Sequence, residues 1–311
     1  MVVSIRPART VGPMLRALIT LTLLAGVLAG CGNDTEAAPA PGPARTTGSP
    51  TTAPTAYDRY VALGDSYTAG PLIPPTDTST ACLRSAVNYP ALVAQAMPGT
   101  ELTDVSCSGA DTQDMTAAQR GMTGSVPPQF DALRKDTDLV TIGLGGNDGG
   151  LFGTLLGRCT QLRASDPTGS PCVAELGGRL DPTLERTEHS LVQVVAGVRR
   201  HAPRARILLV GYPQIVPASG TCADLPLADG DYAFARQINH ELTEAVEDAA
   251  DEADAEYVDV WAPSAGHDIC ADDPWINGRI TSADRALAYH PLAVEQQHVA
   301  QLVLDVLASD R

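Results

Sequence analysis

Five short runs of strand character, separated by stretches of helical period, leave this chain few ways to fold. They are Tyr60–Leu63, Glu101–Ser106, Asp138–Leu144, Arg206–Val210 and Glu256–Val260. Short apolar runs without polar alternation read as strands buried on both faces. Tyr89–Met97, Leu180–His201, Tyr232–Ala253 and the closing Leu292–Leu307 carry helical spacing. The second of these is placed to end before Pro203. Strands alternating with helices imply a parallel sheet covered on both faces. The predicted fold class is therefore α/β, with a five-stranded parallel sheet whose ligands bind at the carboxyl ends of the strands.

Upstream of the first strand the composition changes. Arg6, Arg9 and Arg16 precede an apolar run from Ala17 to Ala29, as in a secretion signal. The run falls short of the roughly 20 apolar residues that span a membrane. Its end, Leu28-Ala29-Gly30-Cys31, resembles the lipobox of bacterial lipoproteins, which implies cleavage before Cys31 and a diacylglycerol on its thiol. From Gly32 to Ala56 the chain is nearly all Ala, Pro, Thr, Gly and Ser, a composition that cannot bury a core and stays extended. The expected organisation is a signal peptide over 1–30, a lipidated cysteine and tether over 31–56, and one domain over 57–311. That places the domain outside the cell, anchored to the outer face of the membrane or, alternatively, fully secreted. No internal repeat interrupts it.

Charge narrows the partners. The formal net charge is −16. Without the three arginines of residues 1–30, 18 basic side chains face 37 acidic ones, or −19. Such a surface repels polyphosphates, and with only 4% aromatic residues no stacking platform is expected, so nucleic acid is excluded as a partner. With Cys31 set aside, six cysteines remain, Cys82, Cys107, Cys159, Cys172, Cys222 and Cys270. An exported chain would oxidise them to three bridges out of 15 possible connectivities. Sequential pairing, 82–107, 159–172 and 222–270, is preferred because each bridge then staples a loop beside a predicted strand. No Cys-x-x-Cys spacing or accompanying histidine cluster supports zinc, and neither metal nor cofactor is expected.

Four segments at element junctions carry chemistry. Gly64-Asp65-Ser66-Tyr67 follows the first strand, where a tight turn would present a nucleophilic serine. Ser106-Cys107-Ser108-Gly109-Ala110 follows the second and puts a glycine where backbone could approach a substrate. Gly145-Gly146-Asn147-Asp148 follows the third and offers an amide donor, and Tyr289-His290-Pro291 precedes the last helix. Each has a plain structural explanation as turn, cap or helix start. One shared site at successive strand ends is more economical than four coincidences.

The ordered set Ser66, Gly109, Asn147 and His290 resembles the four blocks of the SGNH (GDSL) hydrolases, and the cysteines and loop insertions are most similar to secreted actinobacterial esterases and lipases. The resemblance covers residues 57–311 and implies a flavodoxin-like three-layer α/β/α fold. It also implies a serine ester hydrolase, with Ser66 as nucleophile, His290 as base, and the Ser66 amide, Gly109 amide and Asn147 side chain as oxyanion hole. The fourth block departs from the family pattern. Leu287 stands where an aspartate is common, Leu292 where an asparagine is, and Glu295 where a glycine is. Leucine cannot orient an imidazole through its side chain, so the Leu287 carbonyl is the expected acceptor, with Asp284 as the alternative. His189, His201 and His240 fall in helical runs, His298 lies in the closing helix and His267 in a loop. Trp261 and Trp275 are expected as core or rim residues. The expected activity is hydrolysis of carboxylic esters, foremost lipid or acylglycerol esters, by a monomer. The alternatives are deacylation of, or acyl transfer to, envelope glycans, and a binding lipoprotein that has lost the chemistry.

Overall fold

A computed structural model describes residues 57–121 and 124–309. The signal, Cys31 and tether expected over 1–56 lie outside the described residues. Along the chain run β1 (Arg59–Gly64), α1 (Ser66–Ala69), α2 (Tyr89–Ala96), β2 (Glu101–Asp104), β3 (Gln119–Gly121), β4 (Gly124–Val126) and β5 (Leu139–Gly143). They are followed by α3 (Cys159–Leu162), α4 (Pro171–His201), β6 (Arg206–Val210), α5 (Tyr232–Glu252), β7 (Glu256–Val258) and α6 (Ala293–Ala308). Five strands form a parallel sheet in the order β2-β1-β5-β6-β7. The chain steps outward from β1 to β2, then returns past β1 to β5, so the order reverses between β1 and β5. Such a reversal opens a crevice at the carboxyl ends of the two strands.

Alternation along each strand divides the core in two. Val61, Leu63, Val140, Ile142, Ile207 and Leu209 face one way and pack with α4 and α5 residues such as Leu191, Val195, Ile238 and Leu242. Tyr60, Ala62, Leu139, Leu208 and Val210 face the other way, under α2 and α6, with Val93, Val299 and Val303. Three layers result. No described helix is long and apolar enough to cross a membrane. Disulfides join Cys82 to Cys107, Cys159 to Cys172 and Cys222 to Cys270.

Two elements depart from the expectation. Helix α4 starts nine residues earlier than Leu180 and runs through Pro182. Its first turn is held from outside, where the Asp231 carboxylate accepts from the amides of Cys172 (3.0 Å) and Val173 (3.1 Å). The Asp231 carboxylate, reaching across the chain, and the Cys159–Cys172 disulfide thus fix the helix start. The antiparallel hairpin β3–β4, in the insertion between β2 and β5, has no counterpart in the sequence reading.

Candidate active site

At the reversal point Gly64 and Gly143 are paired partners, each ending its strand. A Cβ on either would overlap the side chain of Thr68, which is fully buried over both. The missing side chains thus let α1 sit directly on the strand ends. Asp65 caps α1, its Oδ1 accepting from the Tyr67 amide at 2.8 Å, and Ser66 is the first helical residue, 5% exposed. The Asp65 carbonyl accepts from Ala69 N at 2.9 Å. Because the Asp65–Ser66 peptide is planar and trans, the Ser66 N–H points the opposite way, out of the helix start.

Two buried side chains brace this turn. Gln129 accepts from Gly64 N (2.8 Å) and donates to Gly64 O (2.9 Å). Tyr212, just beyond β6, donates to Asp65 Oδ2 at 2.6 Å while its oxygen accepts from Gly146 N at 2.8 Å. One phenol therefore ties the serine turn to the glycine loop after β5. Burial pushes the Asp65 carboxyl up to about 7, against the lowering influence of the Tyr212 hydrogen bond.

The loops after β2 and β5 meet over β1. Gly109 has φ +80°, a conformation glycine adopts without strain. Asn147 Nδ2 donates to Ala110 O at 3.0 Å and has a second hydrogen left for a ligand. The Asp148 carboxylate accepts from Thr112 N (2.9 Å) and Thr112 Oγ1 (2.7 Å), pinning the same loop. Beside Gly109 opens a cleft of about 410 Å³, bordered by Ser79, Thr80, Ser108, Gln119 and Arg120.

His290 is placed by a short backbone pairing. Asn277 N donates to His290 O and Leu292 N to Trp275 O, both at 2.8 Å. Tyr67 Oη donates to Tyr289 O at 2.9 Å, and the His290 ring lies 5.8 Å from the Tyr67 ring. The base candidate thus packs on the residue that follows Ser66. The expected orienter needs correction. The His290 Nδ1 partner is the Ala288 carbonyl, at 2.7 Å, not that of Leu287. Leu287 O instead accepts from Asn277 Nδ2 (3.0 Å) and His290 N (3.3 Å). Tyr289 takes φ +63°, and the bend there brings the carbonyl two residues back onto the ring. Asp284 is exposed and accepts from Ser282 Oγ. A carbonyl can only accept, so Nδ1 carries the proton and Nε2 is left as base. Burial lowers the imidazole to about 4, opposed by the Ala288 hydrogen bond.

The remaining candidates fall elsewhere. His267 and His298 stack on Trp275, with ring centroids 4.7 and 4.3 Å away, and His240 contacts Trp261 at 4.8 Å. His201 Nδ1 pairs with Gly197 O, and His189 lines a groove beside α4. The sequence reading missed Gln129 and Tyr212, which no local pattern marks, since each meets its partner only across the sheet. Glu295 was noted only as a departure from the family pattern. It is buried behind Tyr67, accepts from Gln296 Nε2 at 2.7 Å, and is raised to about 8 by burial. Among the described residues no cluster of His, Cys, Asp and Glu gathers as a metal site.

A parallel α/β sheet with a serine turn at its reversal point, and a histidine ring packed on the residue after that serine, is the arrangement of a class, the α/β carboxylic ester hydrolases. Within that class the pattern of the GDSL-like lipase/acylhydrolase family matches residues 62–294, and the chain belongs to that family. It is 40% identical over 307 residues to Lipase 2 of Streptomyces coelicolor, covering 96% of this chain and 99% of that protein. A lipase of Streptomyces rimosus is 31% identical over 75% of this chain and 81% of its own length. Among solved structures, phospholipase A1 of Streptomyces albidoflavus superposes with TM-score 0.66 at 29% identity, over 82% of this chain and all of that one. The extracellular lipase of S. rimosus gives TM-score 0.67 at 29% identity, over 81% of this chain and 99% of that one.

Proposed function

We propose that the protein is an exported serine esterase or lipase that cleaves carboxylic esters, foremost lipid or acylglycerol esters, through an acyl-enzyme on Ser66. In this reading His290 Nε2 takes the Ser66 hydroxyl proton as Oγ attacks the ester carbonyl, then returns it to the departing alcohol. The amides of Ser66 and Gly109 and the Asn147 side chain stabilise charge that develops only in the tetrahedral state. Each such donor typically contributes about 3–4 kcal/mol. Water attacks the acyl-enzyme with the same base, and acid is released. The single observation that carries the reading is the His290 ring, with Nδ1 on the Ala288 carbonyl, packed against the residue after Ser66. It supports a serine–histidine dyad oriented by backbone.

Incubation with a fluorophosphonate should label Ser66, and Ser66→Ala should abolish both labelling and p-nitrophenyl ester hydrolysis. If the intact protein neither labels nor hydrolyses any ester, the reading fails. Asp284→Asn should leave turnover nearly unchanged, and a loss beyond about 10³-fold would make Asp284 the orienting acid. A chain-length series of esters separates lipase from short-chain esterase. The hydroxyl and amide side chains on the cleft beside Gly109, which also carries Ala81 and Val126, support a second reading, deacylation of hydroxyl-rich glycans, which an acetyl-only preference would select. The arginine-led apolar start and Cys31 support export and lipid anchoring, to be tested by mass spectrometry of the mature amino terminus.

A further inference from the structure

Gln119 is the first residue of the hairpin, in register with Val126, whose partly buried side chain packs on the core. Its Nε2 donates to Ser108 O at 2.9 Å. Its Oε1 is buried with no hydrogen-bond partner. An orphaned buried acceptor is destabilising, because it has given up water without gaining a partner. An apolar residue of similar size would avoid that cost but would leave Ser108 O without this donor, so what the glutamine adds here is its bond to that carbonyl.

The Ser108–Gly109 peptide supplies the account. In a planar, trans peptide the carbonyl and the N–H point in opposite directions. Gln119 pulls the Ser108 oxygen toward the hairpin, which turns the Gly109 N–H away from it. The flanking groups are held as well: Ser108 Oγ donates to Cys82 O at 2.6 Å and Ala110 N to Cys107 O at 3.0 Å. Gly109 itself sits at φ +80° with no side chain to limit rotation of this peptide, and a Cβ placed on it would come within 3.7 Å of Gln119 Nε2. Among the described residues, none accepts from the Gly109 amide. Apart from the Gln119 hydrogen bond, the peptide carrying the proposed oxyanion donor shows no hydrogen bond of its own among the described residues.

We propose that Gln119 is a positioning residue for ester hydrolysis, orienting the Gly109 amide toward the oxyanion by holding the opposite end of the same peptide. The proposal rests on the serine-esterase reading. It gives the β3–β4 hairpin a role in transition-state stabilisation as well as in bordering the cleft. Loss of the hydrogen bond should act on the tetrahedral state and hardly on substrate binding.

The test compares Gln119→Met, which keeps volume and loses the donor, with Gln119→Asn, which keeps the amide but falls short of Ser108 O. For a soluble p-nitrophenyl ester, kcat should fall roughly 10- to 100-fold in both, short of the 10²–10³-fold loss of a donor itself, with KM within about twofold. The Ki of a trifluoromethyl ketone, which adds to the serine as a tetrahedral oxyanion, should rise in proportion to the loss in kcat/KM. Thermal unfolding of each variant identifies a folding defect, and whichever variant remains folded decides. A folded variant that keeps kcat within twofold overturns the proposal, as does a rise in KM with an unchanged Ki. Wild-type protein that labels and turns over in those experiments leaves the esterase reading standing. Wild-type protein inert to fluorophosphonate and ester alike sinks both.

Discussion

Tyr212 shows how much of this site hangs on single atoms. Its hydroxyl is donor to Asp65 and acceptor from Gly146 N, so deleting it strands a buried carboxylate and a buried amide together. Tyr212→Phe should destabilise the fold by about 1–3 kcal/mol and lower kcat/KM by tenfold or more, read by thermal unfolding and steady-state kinetics. The GDS-type motif was readable in the sequence because its residues are contiguous. Tyr212 was not, because 147 residues separate it from Asp65 and only the sheet brings them together. At His290 the same scale sets the pH dependence. An imidazole lowered from 6.5 to about 4 stays neutral, and therefore a base, through mildly acidic conditions. The acid limb of kcat/KM for a soluble ester should fall below pH 5. A limb near the ordinary histidine value would show that the ring is solvated in the free enzyme.

At the scale of elements, the amino end of α6 carries the largest departure from family expectation. Gln296 donates to Tyr67 O and accepts from Tyr89 N, bridging the serine turn to α2, while Glu295 beside it is buried. The folded-state carboxyl is raised from 4.5 to about 8, so the native protein holds a proton that the unfolded chain releases. Stability from this group is fully present below about pH 4.5 and is lost as pH rises through about 8. Glu295→Gln should match wild type at pH 5 and exceed it by on the order of 3 kcal/mol at pH 9, measured by urea unfolding. Equal stability at both pH values would mean that the site is wet. The central strands β1, β5 and β6 were legible because burial on both faces leaves nearly uninterrupted apolar runs, whereas the edge strand β2 has no buried residue. The hairpin was not, since three-residue strands carry too little pattern, and α4 outran its expected start because Asp231 caps it from another part of the chain.

For the whole molecule, the net charge of −16 makes any anionic surface a repulsive partner at low salt. Hydrolysis of an ester presented in anionic vesicles should rise as ionic strength goes from about 0.01 M to 0.15 M, while turnover of a soluble neutral ester stays level, because the screening length drops from about 30 to 8 Å. A flat vesicle profile would place the catalytic face away from the acidic surface.

The sequence by itself determined the class of fold, the order of the five strands of the parallel sheet and of its four long helices, and the four segments expected to share a site. All of these are written in local periodicity and contiguous motifs. Only the tertiary structure decided what holds the segments in place: the phenol of Tyr212, the clamp of Gln129, the Gln119 contact to Ser108 O, and Ala288 rather than Leu287 on His290. The reason is physical. Hydrogen-bond partners are chosen within about 3 Å in space, and a one-residue bend at Tyr289 redirects a carbonyl in a way that no pattern of side chains encodes.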